Sequence, residues 1–386
     1  MIDDIASFAL SGPDAIKTNS IINTKIESKK LEFGPTKCYN IHIGELKDTH
    51  LNLKVHGEIL NVKQYETYLG DVICGSGFND KNIEKRRNQG LATINQIISM
   101  LNMTSLGHYY FEIALILRES ILVSKLVFNS EVWYNLSNKQ IEKLEQIDEI
   151  YLRRILNCSK TTPKVGIYLE CGVIPLNFVV KMRRLLYYWH LLHREKDELI
   201  FKFYTVQNHS PSEGDLVQLV KKDISDIRLG LCEDEIKTMS KYQFKKILKE
   251  KIVKLAASNL ESRKKQKSMK LENMKFEPQE FLLSKNLSIS EVQTLFKIRN
   301  NMIEVKENFK SSHENLLCRL CMLCRETQQH LIDCTKIREK LRGVVDFAIL
   351  KIEMAFKSIE NQEKLAKSYT IVINTWKDLL SLNGNQ

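Results

Sequence analysis

One short run of residues limits the possible folds of this chain more than any other feature. The segment CRLCMLCRETQQHLIDC places Cys318, Cys321, His330 and Cys334 in the order C-x2-C-x8-H-x3-C. Four soft or borderline ligands at this spacing suit the tetrahedral coordination that Zn²⁺ adopts when protein side chains fill every position. The sequence therefore predicts a structural Zn²⁺ site, within residues 311–338, that has no open position for catalysis.

The distribution of the cysteines supports the same interpretation. Four of the nine cysteines lie within seventeen residues, and the other five are scattered singly. Local crowding of this kind favours a metal over disulfide bridges. Two alternatives stay open, namely a register in which Cys324 acts with Cys321, and a chance cluster of reduced thiols.

Length and composition indicate a globular chain. The 386 residues are 43% hydrophobic, which is enough for a large core and for two or three domains. No stretch approaches the roughly 20 apolar residues of a membrane-spanning helix, and the first residues lack the pattern of a secretory signal. We therefore expect no membrane partner and a nuclear or cytoplasmic location; the oligomeric state is left open.

Positive charge is concentrated in one segment. The chain carries a formal net charge of +11, and residues 241–275 contain twelve Lys or Arg against three acids. Such a cluster can neutralise phosphates and release their counterions, although a solvated helix face would have the same composition. The nucleic-acid contacts predicted here are Lys245, Lys246, Arg263, Lys264 and Lys265.

The spacing of apolar residues changes near residue 80. Before it, short apolar runs separated by glycines indicate strands and turns, and after it the apolar residues recur with helical spacing. Ser137 and Gln140 have the spacing of a helix capping box. We therefore predict an α+β chain with a small β-rich N-terminal part and a mostly α-helical remainder.

The segment Lys181–Arg194 divides into two helix faces. One face is apolar, and the other carries side chains that can contact phosphates or stack on a base. An ordinary amphipathic helix with a solvated basic face is the alternative. The predicted contacts on the polar face are Arg183, Tyr187, His190 and Arg194.

The first residues, MIDDIASFAL, contain an adjacent pair of carboxylates, Asp3 and Asp4. The apolar-Asp-Asp-apolar pattern fits a tight hairpin between buried strands, where both carboxylates can face one cavity and bind Mg²⁺. A solvent-exposed turn near the terminus is the alternative.

The order of several further segments indicates the class of protein more specifically than any one of them does. LEFGPTKCYNIHIG places Lys37 after a turn and before a strand, and YETYLGDVI places Tyr68, Leu69 and Gly70 on a predicted hairpin. In these segments the chain resembles the reverse transcriptases of non-LTR (LINE-type) retrotransposons. The resemblance extends to MIDD, IDEIYLRRIL, GIYLECGVIP, KMRRLLYYWHLLHR and the cysteine-rich segment. The resemblance covers most of residues 1–335.

The resemblance implies an RNA-directed DNA polymerase that acts on an RNA template and target DNA. Asp3 and Asp4 would bind the catalytic Mg²⁺, Lys37 would lie near the nucleotide phosphates, and residues 68–70 would grip the primer. Met1 replaces the aromatic residue that is usual before the aspartate pair. The implied parts are a partial palm (1–78), a helical thumb (79–205), a basic helical linker (206–310), a CCHC zinc knuckle (311–338) and C-terminal helices (339–386).

The family also needs a third aspartate and a fingers domain before the aspartate pair. The sequence contains no substitute for either, so we expect a truncated polymerase that is inactive alone. A restriction-like nuclease is not expected, because no Pro follows Pro278. The alternatives are a non-catalytic, zinc-dependent nucleic-acid-binding protein and a helical scaffold whose charges only keep it in solution.

Overall fold

The structure, a computed structural model, describes most of the chain. Within the described part the chain is mostly helical with a few short strands, which agrees with the predicted α+β composition. The described residues are 6–9, 11–31, 34, 37–44, 51–265, 276–312, 315–347 and 351–383.

Helices dominate from residue 80 onward. The α-helices are α1 (Gly12–Ser28), α2 (Asp80–Met103), α3 (Tyr110–Leu117), α4 (Ser124–Leu126), α5 (Asn138–Ile155), α6 (Lys164–Cys171), α7 (Leu176–Leu192), α8 (Leu199–His209), α9 (Leu216–Asp226), α10 (Glu233–Thr238), α11 (Lys241–Lys265), α12 (Ile289–Arg299), α13 (Gln328–Asp333), α14 (Thr335–Lys340), α15 (Ile352–Ala355) and α16 (Ile359–Asn383). A π-helical turn, Arg118–Val123, joins α3 to α4.

The described strands pair only in twos. Parallel pairing joins β1 (Tyr39–Asn40) to β4 (Asn61–Val62), and antiparallel pairing joins β2 (Lys54–Val55) to β3 (Glu58–Ile59) and β5 (Tyr65–Tyr68) to β6 (Asp71–Cys74). The predicted hairpin at residues 68–70 is present. Leu69 and Gly70, with φ of 46° and 89°, form the two-residue turn that suits the twist of an antiparallel hairpin.

Local sequence signals account for the ends of several helices. The predicted capping box at the start of α5 is confirmed, because the Ser137 hydroxyl accepts from the Gln140 backbone N–H and the Gln140 side chain accepts from Ser137 N–H. The helix α1 was not predicted. Its signals are an N-cap, Ser11, that accepts from Asp14 N–H, and a proline in the first turn.

Two hydrophobic cores organise the helical part. The first core is built mainly by α2, α3, α5, α6, α12, α13, α14 and α16, and the second by α7, α8, α9, α10 and α11. Leu176 and Val180 of α7 and Leu260 of α11 also belong to the first core. At the first core, Arg118 and Asp148 form a buried bidentate ion pair at 2.7 and 2.6 Å, and the Tyr168 hydroxyl donates to the same carboxylate at 3.0 Å. Pairing of this kind is what makes the burial of such charges tolerable.

No single helix in the described ranges combines the length and the apolar composition that crossing a membrane requires. The helices α6 and α7 meet both criteria only as a pair, which is bent by 56°.

Candidate metal centre

The four predicted zinc ligands lie together. Their ligand atoms are all within 4.8 Å of one another, with 3.9 Å between the sulfurs of Cys318 and Cys334 and 3.3 Å between Cys321 Sγ and His330 Nε2. A tetrahedral Zn²⁺ with ordinary bond lengths separates its sulfur and nitrogen ligands by about 3.5 to 3.8 Å. The Cys3His cluster can therefore hold a metal ion such as zinc.

A short hairpin positions the first two ligands. Cys318 N–H donates to Cys324 O at 2.8 Å, Glu326 N–H donates to Leu316 O at 2.8 Å, and Leu317 pairs with Arg325 as an isolated antiparallel bridge. These contacts close the loop that contains Cys321. The two thiols therefore face the same point inside the hairpin.

A helix positions the other two ligands. His330 lies in α13, whose N-cap Thr327 accepts from the His330 backbone N–H at 2.9 Å through its hydroxyl. Cys334 follows the end of α13 and caps α14. The x3 spacing thus places His330 and Cys334 one helical turn apart, on the side that faces the hairpin.

The electrostatics of the cluster suit a bound cation. Burial raises the pKa of the Cys318 thiol to about 12 and also raises the pKa of Cys334. At Cys321 burial opposes ionisation, but backbone N–H donors of Leu323 and Cys324 outweigh it and lower the pKa. Burial lowers the pKa of His330 and favours the neutral imidazole that binds metals. A metal would supply the positive charge that the buried thiolates need.

The remaining cysteine of the segment is not part of the cluster. Cys324 is exposed, and its backbone, rather than its sulfur, serves the site. The geometry therefore favours the register with Cys318 over the one that was left open for Cys324.

The metal cluster is continuous with the first hydrophobic core. Cys318 and Cys334 are fully buried there, together with residues of α12 and α16. The Tyr369 hydroxyl of α16 donates to Gln328 O at 2.8 Å, and the Gln328 side chain donates to Ile298 O at 3.1 Å at the end of α12. The knuckle is thus held by packing on two sides, rather than being a separate small module.

Arg319 connects the knuckle to the segment that precedes it and to the C-terminal helix. Its guanidinium bonds the fully buried Glu326 carboxylate at 2.5 to 3.0 Å and Glu304 O at 2.6 Å. It also lies over the Trp376 ring, 4.7 Å from the centroid. Arg319 is therefore engaged within the protein.

The predicted polymerase residues lie apart from the metal cluster in sequence. Asp3 and Asp4 fall outside the described residues. Lys37 is exposed and its N–H donates to Gly34 O at 2.9 Å, as in the turn that was predicted. Leu69 is exposed at the hairpin tip, and Gly70 O accepts from Lys85 at 2.9 Å. Tyr68, in the same hairpin, is half-buried.

The predicted contacts on α7 have different surroundings. Arg183 forms a bidentate ion pair with Glu131, at 2.9 and 3.3 Å, and is engaged within the protein. Tyr187 is half-buried against the second core. Arg194 donates to His190 Nε2 at 2.5 Å, at the end of the helix.

The predicted lysines on α11 are accessible. Lys245 and Lys246 are exposed, on the side of the helix away from the second core. Arg263, Lys264 and Lys265 end the same helix, and their side chains lie outside the described part of the structure.

A cleft of about 500 Å³ lies between α5 and the neighbouring helices. Glu145 and Glu149 line it, and both are ion-paired with Lys164, at 2.8 and 2.6 Å. These ion pairs account for the charged side chains that line the cleft. Its acidic lining is unfavourable for phosphate binding.

Comparison with known proteins identified no relative of this chain. No protein-family model, no curated protein and no solved structure matches this chain.

The metal centre predicts a contrast between two conservative cysteine variants. Cys318→Ser should lose stoichiometric zinc, since a hydroxyl is a poor substitute for a buried thiolate ligand, whereas Cys324→Ser should bind about one zinc per chain like the parent. Metal analysis of protein purified under reducing conditions measures this. Zinc lost in Cys324→Ser but kept in Cys318→Ser would move the site to the other register.

Arg319 predicts a second contrast, in stability. Arg319→Met leaves the buried Glu326 carboxylate without its cation and should lower the free energy of unfolding by about 3 kcal/mol. Arg325→Met is the matched control, because Arg325 is exposed and makes no ion pair with any described residue. Urea denaturation of the zinc-loaded proteins measures both. Equal stabilities of the two variants would contradict the structural role of Arg319.

Proposed function

We propose that this chain binds nucleic acid through a helical body that zinc stabilises, as the C-terminal part of a non-LTR retrotransposon reverse transcriptase. One observation carries the binding proposal: the exposed lysines of α11 form one surface with the half-buried His190 and the exposed Arg194 at the end of α7. We call it the basic surface, and its members are His190, Arg194, Lys241, Lys245 and Lys249.

Contacts between α7 and the chain before α11 bring the cations together. Trp189 Nε1 donates to Met239 O at 3.0 Å, which fixes the end of α7 beside the start of α11. Burial, together with the charges of Arg194 and Lys241, lowers the pKa of His190. His190 is therefore mainly neutral at pH 7, and its Nε2 accepts from Arg194. The two nearby cations disfavour the charged imidazole, so these three side chains are close neighbours.

The lysines of this surface are available to bind phosphates. Lys241, Lys245 and Lys249 are one helical turn apart, exposed, and without an ion pair to any described residue. Nearby, Glu198 approaches Arg194 at 3.4 Å. Tyr242, 77% exposed between the lysines, offers a ring on which a base can stack. A surface that only needs to be solvated requires no aromatic ring among its cations. The combination of lysines with an exposed ring therefore favours contact with nucleic acid.

The metal has a structural role in this proposal. Protein side chains would fill all four coordination positions, so zinc would hold the fold rather than activate water. The polymerase part of the proposal rests on the resemblance: Asp3 and Asp4 would bind Mg²⁺, with Lys37 near the nucleotide phosphates and Leu69 against the primer. RNA template and target DNA are the proposed partners.

A non-catalytic, zinc-dependent nucleic-acid-binding protein is the second candidate. The metal cluster and the basic surface favour it equally, because neither needs a polymerase site. Primer extension on an RNA template distinguishes the two candidates. Extension that is restored when the chain is joined to an upstream polymerase segment supports the first, and failure of that fusion supports the second.

The basic surface predicts how affinity depends on salt. The variant with both Lys245→Gln and Lys249→Gln should weaken binding to single-stranded RNA and reduce the slope of log affinity against log salt by about 1.4, since each lysine neutralises one phosphate. Fluorescence anisotropy at several salt concentrations measures the slope.

A control pair has the same charge and spacing. Lys139 and Lys143 are exposed one turn apart on α5 and make no ion pair with any described residue. Lys139→Gln with Lys143→Gln should leave the slope unchanged. Equal slopes for both double variants, or no binding by the parent at low salt, would contradict the proposal.

A further inference from the structure

A hydrogen bond at the end of α7 depends on the protonation state of one histidine. Arg194 donates from Nη2 to the Nε2 atom of His190 at 2.5 Å. A guanidinium group contains only donors and stays charged throughout the pH range of proteins, so Nε2 has to supply the free electron pair. The Arg194 contact therefore exists only while Nε2 of His190 carries no proton.

The surroundings of His190 oppose a second proton on its ring. Burial lowers the pKa of His190, and Arg194, Lys241 and His193 lower it as well, whereas Glu198 raises it. These charged groups face His190 from the end of α7, from the start of α11 and from the residue that precedes α8. In the free protein the neutral ring is therefore favoured, and so is its contact with Arg194.

Neutral His190 restrains the Arg194 guanidinium. Arg194 is held by two groups, since its Nη1 also approaches Glu198 at 3.4 Å. A proton on Nε2 would remove the hydrogen bond and place two cations side by side. The Glu198 pair that remains has side chains that are 40% and 37% exposed, and ion pairs as exposed as this contribute little stability. The released guanidinium could then turn to a phosphate.

A phosphate bound at this position would reverse the balance of charge. The hydrogen bond from Trp189 Nε1 to Met239 O, at 3.0 Å, holds the end of α7 beside the start of α11. An anion that contacts both Arg194 and Lys241 therefore lies close to His190 and favours the imidazolium form. Binding of the anion and binding of the proton then strengthen each other by the same factor.

We propose that His190 and Arg194 form a pH-dependent switch in the basic surface, in which nucleic-acid binding protonates His190 Nε2 and releases Arg194 to the phosphates. The proton comes from the solvent and returns to it when the nucleic acid dissociates. This inference rests on the proposed function and specifies how the same surface is regulated. Affinity should rise as the pH falls, and should level off once His190 is protonated in the free protein as well.

The test measures affinity for RNA by fluorescence anisotropy at constant ionic strength. The probe is a labelled 20-nucleotide oligouridylate, because uracil does not titrate between pH 5.5 and pH 8. The parent protein should bind this probe about tenfold more tightly at pH 5.5 than at pH 8, which corresponds to a rise of about one unit in the pKa of His190 on binding.

Two substitutions of His190 should have opposite effects. His190→Gln keeps an oxygen that can accept from Arg194 but takes up no proton, so its affinity should stay near the parent value at pH 8 over the whole range. His190→Lys carries a permanent charge and should bind at pH 8 about as tightly as the parent does at pH 5.5. His209→Gln is the matched control, because His209 is exposed at the end of α8, and it should keep the parent profile.

Calorimetry counts the proton directly. Titration of the probe at pH 6.5, in two buffers with different ionisation enthalpies, should show that the parent takes up about half a proton more than His190→Gln does. Equal proton uptake by these two proteins, or the same change of affinity with pH in both, would overturn the switch and leave the proposed function intact. Failure of the parent and of His190→Lys to bind the probe at either pH would overturn the proposed function itself.

Discussion

The fold of the C-terminal part depends on how four side chains that can bind a metal share one small volume with a hydrophobic core. Cys318 and Cys334 are fully buried beside helices α12 and α16, where thiolates without a cation are unfavourable. A bound metal would remove that cost and at the same time close the hairpin on α13. Coordination and packing are therefore one constraint, and the loss of either should weaken the other.

The same constraint decides which charges are available to a partner. Arg319 forms an ion pair with the buried Glu326 and a cation–π contact with the Trp376 ring, so it holds the knuckle against α16. Arg183 is likewise engaged, by Glu131. The cations left without an ion pair to a described residue include the lysines of the basic surface and Arg325 of the knuckle. These unpaired cations are the basis of the proposal that the partner is nucleic acid.

Local patterns in the sequence were enough to predict the features that depend on near neighbours. The C-x2-C-x8-H-x3-C spacing identified the ligand cluster, the Ser137–Gln140 pattern identified the start of α5, and Leu69-Gly70 identified a turn. Features that depend on distant residues were missed. The partner of Arg183 is Glu131, 52 residues away, and Arg319 stacks on Trp376. Periodicity and composition contain no signal for such pairs, so Arg183 was predicted as a free contact residue.

Hydrogen exchange of α16 with and without zinc tests most directly whether the metal centre and the helical core are one structure. We predict that removing zinc from the purified chain abolishes protection in the knuckle and also around Tyr369 and Trp376, while amides of α9 and α10 in the second core keep theirs. Unchanged protection of α16 after zinc removal would show instead that the knuckle is an independent module.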